Sequence, residues 1–153
     1  MVNKIVRSNN PALFCSRKER NQIVSAVRKA ERQTSAEIRI HLQFQFKGDG
    51  MLHARHIFER LHMHETKDRN GVLILLGIRS HEFVILGDRG IHEKVSEEFW
   101  KTLASDMAAK LREDRFSEGL VEIIQRIGEK LKTHFPSERD DKNELPDGIS
   151  YSL

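Results

Sequence analysis

The run Val72-Leu73-Ile74-Leu75-Leu76 constrains this chain more than any other feature. It is continuous and apolar, and turn-forming residues bound it: Asn70-Gly71 before, Arg79-Ser80-His81 after. It is far shorter than the roughly 20 apolar residues of a membrane span. Its length and β-branched content predict a central strand buried on both faces. Such a strand demands apolar cover above and below, so the rest of the chain must supply helices for two sides.

The flanking segments supply that cover. Ser16-Arg17-Lys18-Glu19 fits a capping box, which starts a helix that runs to about Gln33. Glu37 to Phe44 alternates strictly, with Ile38, Ile40, Leu42 and Phe44 on one face, and predicts a strand with one buried and one polar face. After the turn Lys47-Gly48-Asp49-Gly50, the spacing of Ala54, Ile57, Phe58 and Leu61 predicts a second helix. Glu82 to Leu86 returns as a hairpin partner of the central run, ended by Gly87-Asp88-Arg89-Gly90. Two long helices follow, from about Lys94 to Arg112 and from about Phe116 to Thr133, and Phe135-Pro136 stops the second. The order predicts an α/β fold: a three-layer α/β/α sandwich with a small mixed sheet, Rossmann-like, its β-α-β crossover right-handed. Residues 1–13 read as a lead-in, 14–136 as the domain and 137–153 as a disordered acidic tail.

Charge narrows the function only a little. The net charge of +3 is too balanced to imply specific nucleic-acid binding. Residues 1–60 nevertheless carry 12 Lys and Arg against 5 Asp and Glu. That excess reads as a solvated helix face or as a surface for phosphate or an acidic partner. Cys15 is the only cysteine, so neither an intrachain disulfide nor a CxxC metal knuckle is available. With no signal-like apolar segment at the start, the expectation is a cytoplasmic, soluble protein.

Four short motifs in order are similar to those of the TPM-domain family. Thr34-Ser35-Ala36-Glu37-Ile38-Arg39-Ile40 resembles its T-G-x-E-I-x-V segment, with Ser35 at the usual Gly. Arg69-Asn70-Gly71-Val72-Leu73-Ile74 resembles its N-G-V-L strand start, and Gly87-Asp88-Arg89-Gly90-Ile91 its glycine turn after the hairpin. Arg115-Phe116-Ser117-Glu118-Gly119-Leu120 resembles its F-x-x-G helix start. The resemblance spans about residues 14–136 and implies an α/β/α sandwich. It also implies calcium binding, with acid phosphatase activity in some plant members.

The carboxylates Glu37, Asp68, Asp88 and Asp114 are the candidate metal ligands. Asp68 precedes the central strand and Asp88 follows its hairpin partner, so the two fall at one end of the sheet, where Asp114 is a further candidate. Calcium or another divalent cation needs several such oxygen ligands. Asp68 and Asp88 are also ordinary turn residues, and Asp114 an ordinary helix cap. Arg69 and Arg89 flank the site; they either neutralise the carboxylates or bind an anion. Asp68, Asp88, Arg69 and Arg89 are the candidate catalytic residues if the chain hydrolyses small phosphomonoesters with metal assistance. The first expectation is instead an accessory or binding module, with a protein partner or a small phosphorylated ligand. His53, His56, His62 and His64 form a second group, read either as a zinc site or as a solvated polar face.

Overall fold

A computed structural model describes residues 7–8, 10–79, 81–138 and 148–152. The capping box forms as expected. Ser16 Oγ accepts from Glu19 N–H, Glu19 reaches back to Ser16 N–H, and helix α1 runs Arg17–Gln33. Strand β1 is Glu37–Gln43 and helix α2 is Gly50–Arg60, with Asp49 capping the latter. The apolar run is β2, Gly71–Gly77, buried along its whole length, and β3 is Glu82–Gly87. A one-turn helix α3, Arg89–His92, precedes α4, Glu97–Arg112, so the first long helix starts later than the periodicity suggests. Helix α5 is Phe116–His134.

The sheet has the order β3-β2-β1-β4. β1 lies parallel to β2 in the register Glu37 to Gly71, and β2 and β3 form the antiparallel hairpin. The side chains of β2 alternate between two apolar clusters. Val72, Ile74 and Leu76 join residues of α1, α4 and α5, including Ile23, Leu103, Ile124 and Ile127. Leu73 and Leu75 join Ala54, Ile57 and Phe58 of α2. Burying one such aliphatic side chain contributes about 1.5–3 kcal/mol, which makes β2 the main anchor of the domain. α1 and α5 pack closely, and the contact depends on Gly128. A Cβ there would lie 2.9 Å from Ala30 Cβ.

The acidic tail needs a correction. Ile149–Ser152 forms a fourth strand, β4, parallel to β1 in the register Ile40 to Ile149. The four-residue segment alternates apolar and polar. Ile149 enters the main core, and β4 supplies the ladder partners that the outer edge of β1 would otherwise lack. Residues 139–147 and 153 of the segment expected to be disordered lie outside the described residues, as does most of the lead-in.

Candidate functional site

The parallel pairing of β1 and β2, with β3 returning antiparallel, gathers the starts of β1 and β2 and the end of β3 at one end of the sheet. A set of buried polar residues concentrates there: Thr34, Ser35, Glu37, Thr66, Asn70 and Asp88. The loop before β2 is tied to itself and to its neighbours. Asn70 N–H donates to Thr66 Oγ1, and Asn70 Nδ2 donates to Ser35 Oγ. Glu37 N–H donates to the Asn70 carbonyl, which joins β1 to the same loop. Arg69 sits in the left-handed region at φ 50°, so the loop turns sharply just before the strand. Gly90 closes the turn from the other side. Its N–H donates to the Arg69 carbonyl, and a Cβ on it would lie 2.3 Å from the Asp68 carbonyl oxygen.

Asp88 is 7% exposed and fully engaged. Arg69 Nε donates to Asp88 Oδ2 at 2.7 Å, and Arg69 Nη2 to Oδ1 at 2.9 Å. Oδ1 also accepts the Arg89 N–H, so Asp88 caps α3. This bidentate pair is a strong, charge-assisted contact, and it holds the Arg69 guanidinium above its ordinary pKa. Arg89 itself is exposed; here it contributes its backbone N–H. Asp68 points elsewhere. It is exposed and lines an open cleft of about 360 Å³ with Ser35, Gly90, Glu93, Lys94, His134 and Glu138.

The four candidate metal ligands therefore do not form one set. Glu37 is buried at the start of β1, Asp88 is taken by Arg69, and Asp68 opens to the cleft. Asp114 stands near the other end of β2. It borders a cavity of about 260 Å³ with Leu76 and Ile78, 3.6 Å from Arg7 Nε. It follows α4 in a left-handed turn, and α4 runs the length of the sheet, which carries it away from Asp68. Among the described residues, no three His, Cys, Asp or Glu side chains stand close enough to hold an ion. Glu37, Asp68, Asp88 and Asp114 therefore do not converge on one calcium site.

The histidines are also dispersed. His53 does not face outward as expected: it stacks on Phe46, and its Nε2 lies 2.8 Å from Gln43 Oε1 of β1. His62 pairs with Glu65 at the surface. Thr66 orients the Asp68 loop, whereas His62 is exposed and does not. The sequence reading missed Ser35 and Asn70 as members of the site. A polar Ser at a position flanked by buried residues, ahead of a strand, was the signal.

Comparison with known proteins gives three findings. The model of the TPM domain matches residues 8–130. The NMR structure of the BA42 protein from the psychrophilic bacterium Bizionia argentinensis is 40% identical, covering 91% of this chain and 96% of that one, with a TM-score of 0.85. The N-terminal domain of a protein from P. gingivalis shares the fold at 17% identity, covering 79% of this chain and 78% of that one, with a TM-score of 0.63. Among curated proteins, none matches the sequence.

Proposed function

This chain belongs to the TPM-domain family, and from that premise we propose that it is an accessory binding module whose ligand face is the loop-end cleft beside Asp68. The Arg69–Asp88 pair is the observation that carries the proposal. A hydrolase built here would need a carboxylate free to act and a cation free to clamp phosphoryl oxygens. Asp88 and Arg69 are spent on each other and on capping α3, which leaves Asp68 and Lys94 among the charges facing the cleft. What the pair builds is a rigid turn that presents Asp68 to the cleft.

The cleft rim carries Asp68, Glu93 and Glu138 against Lys94 and His134, so its charge favours a positively charged ligand. We take that ligand to be a basic segment of a protein partner. A divalent cation held by Asp68, backbone carbonyls and water is the competing occupant. The accompanying fold reading is a three-layer, Rossmann-like α/β/α sandwich, supported by the two apolar clusters that share β2. No described helix is long and apolar enough to cross a membrane. A cytoplasmic location is proposed from the single thiol Cys15.

The test is an amide NMR titration with a lysine-rich peptide and, separately, with calcium. Peptide-induced shifts around Asp68, Gly90 and Glu93 that vanish in Asp68→Ala support the module. Calcium shifts at the same place, with no peptide effect, replace the peptide by the ion. Hydrolysis of p-nitrophenyl phosphate that is lost in Asp88→Ala, with the fold kept, would overturn the proposal in favour of a phosphatase.

A further inference from the structure

At the end of the sheet opposite the loop-end cleft, the chain seats one of its own side chains in a pocket. Arg7 lies ahead of the short turn Pro11–Leu13 and reaches into the domain with its guanidinium. Arg7 Nη1 donates to Glu19 Oε1 and Arg7 Nη2 to Glu19 Oε2, both at 2.6 Å. Nη1 also donates to the Phe14 carbonyl at 3.2 Å. The guanidinium carbon stands 5.0 Å from the centre of the Phe14 ring and 5.3 Å from that of Phe116. The side chains of Arg7 and Glu19 are each only 10% exposed. A carboxylate met by two parallel N–H donors, a carbonyl and two aromatic walls are what a planar guanidinium requires.

The domain builds the walls of this pocket from its own elements. Glu19 is positioned by the capping box, in which its Oε1 also accepts the Ser16 N–H. Phe116 opens α5, is buried, and meets Phe14 edge-on with the ring centres 5.0 Å apart. Asp114 is placed by the left-handed turn after α4, where its N–H donates to the Leu111 carbonyl. Burial pushes the Glu19 carboxyl up, but Arg7 and Ser16 outweigh it and hold it below its ordinary value. The pocket is therefore a buried anionic place that needs a cation in it.

Arg7 does not fill the place it occupies. Its Nε is shielded from solvent and has no hydrogen-bond partner among the described residues. Asp114 Oδ1 stands 3.6 Å from it, which is an ion-pair distance and too long for a hydrogen bond. The cavity of about 260 Å³ lies directly beside, lined also by Leu76, Ile78, His81 and Leu111. Leu76 and Ile78 bracket the carboxyl end of β2, to which β1 runs parallel. In open α/β sheets, ligands bind outside the carboxyl ends of the parallel strands. Among the described residues, every hydrogen bond from Arg7 into the domain passes through the guanidinium, so one side-chain group anchors this segment.

We propose that this pocket is a guanidinium-binding site, that Arg7 is its tethered ligand, and that an arginine side chain of a peptide partner takes the place of Arg7. Glu19 is the bidentate acceptor, Phe14 and Phe116 are the walls, and Asp114 is the second carboxylate. The cavity beside Arg7 gives the incoming chain room at the carboxyl end of β2. A lysine cannot substitute, because its ammonium is a point charge that does not span both Glu19 oxygens while lying flat between two rings. The tether gives Arg7 an effective concentration on the order of millimolar, so a free arginine compound competes poorly until Arg7 is removed.

The full chain carrying Arg7→Ala is titrated with N-acetylarginine amide, with N-acetyllysine amide as the control, following amide signals and melting temperature. The expected result is saturable shifts at Glu19, Asp114 and Phe116, with recovery of the melting temperature that the substitution lowers. The lysine amide should bind at least tenfold more weakly. Wild-type protein should also bind the arginine amide at least tenfold more weakly than the variant, because Arg7 competes. Adding Glu19→Gln to Arg7→Ala should remove the saturable shifts. A merely structural ion pair predicts the loss of stability but no binding in trans, so an Arg7→Ala protein without saturable shifts overturns the proposal. Equal affinity of wild type and variant, or equal affinity for the two amides, overturns it as well. So do shifts confined to Asp68, Gly90 and Glu93, which belong to the loop-end cleft. Where Arg7→Ala does not fold, Arg7→Lys keeps a cation in the pocket and is titrated in the same way, with the same tenfold gain over wild type expected.

Discussion

Replacing Asp88 by Ala in chelator-treated protein separates a structural ion pair from a cation site, because the two predict opposite signs. As an ion pair and cap, Asp88 stabilises the fold in the absence of any metal. Losing its cap of α3 costs about 1 kcal/mol. Losing its role as a charged acceptor for side-chain donors adds about 1–2 kcal/mol. The full 3–5 kcal/mol of a broken buried pair is not reached, because Arg69 is one-third exposed and can turn to water. The sum is about 2–3 kcal/mol, or about 5–10 °C in melting temperature for a chain of this size. As a cation ligand, Asp88 would instead repel its fellow carboxylates in the empty site, and Asp88→Ala would stabilise the metal-free protein. Urea denaturation of wild type, Asp88→Ala and Asp68→Ala, each in chelator, provides the assay. Asp68 is exposed and should change stability by no more than about 0.5 kcal/mol. An Asp88→Ala protein as stable as wild type, or more so, would refute the reasoning. Arg69→Ala combined with Asp88→Ala should cost clearly less than the sum of the two single changes, because both remove the same contact.

Three further outcomes are expected. His41 has a folded pKa of about 4 against an ordinary 6.5, so the unfolded chain binds more protons between those values; stability is full above pH 6.5 and declines toward pH 4 by about 3 kcal/mol. Denaturation midpoints of wild type and His41→Gln across that window check this, and a wild-type decline no steeper than that of the variant counts against it. Gly90→Ala places a methyl against the backbone carbonyls of Asp68 and Arg69, which cannot swing away as side chains do; a loss of about 2 kcal/mol or more is expected by thermal melt, with amide shifts centred on residues 68–70. Cys15 is partly buried and its thiol is pushed up to about 11, mainly by burial, so Ellman's reagent at pH 8 should label it slowly until urea is added.

How much of this architecture is legible in the sequence depends on the kind of signal each part leaves. The core of the fold is written in periodicity. The run Val72 to Leu76 forms β2, the alternation from Glu37 forms β1, and the Ser16–Glu19 box starts α1. These features are local, and hydrophobic burial reads them directly. β4 leaves almost no local signal: Ile149-Ser150-Tyr151-Ser152 is four residues at the end of a polar stretch, and its pairing with β1 is made across more than 100 residues of sequence. Local composition cannot reveal a strand whose stability comes from an edge supplied elsewhere.

The polar residues divide along the same line. Asp68 and Asp88 are rightly placed at one end of the sheet, because the hairpin geometry follows from sequence order. What sequence order does not give is the partner of each charge. The Arg69–Asp88 pair needs the left-handed turn at Arg69 and the close approach at Gly90, and these exist only in three dimensions. Asp114 is displaced for a comparable reason, because α4 spans the sheet and ends at its far side. On β1 the polar alternation of Arg39, His41 and Gln43 reads as a solvated face while the strand is considered alone. Once β4 lies alongside and α2 stands over the neighbouring strands, His41 and Gln43 are buried and Arg39 is partly so, and His41 takes Ser150 and Ser152 of β4 as its partners. A polar alternation on a strand is therefore a solvated face only where no neighbouring strand or helix covers it. A helix can turn its charges to water, but a strand inside a sheet has both faces fixed by its neighbours.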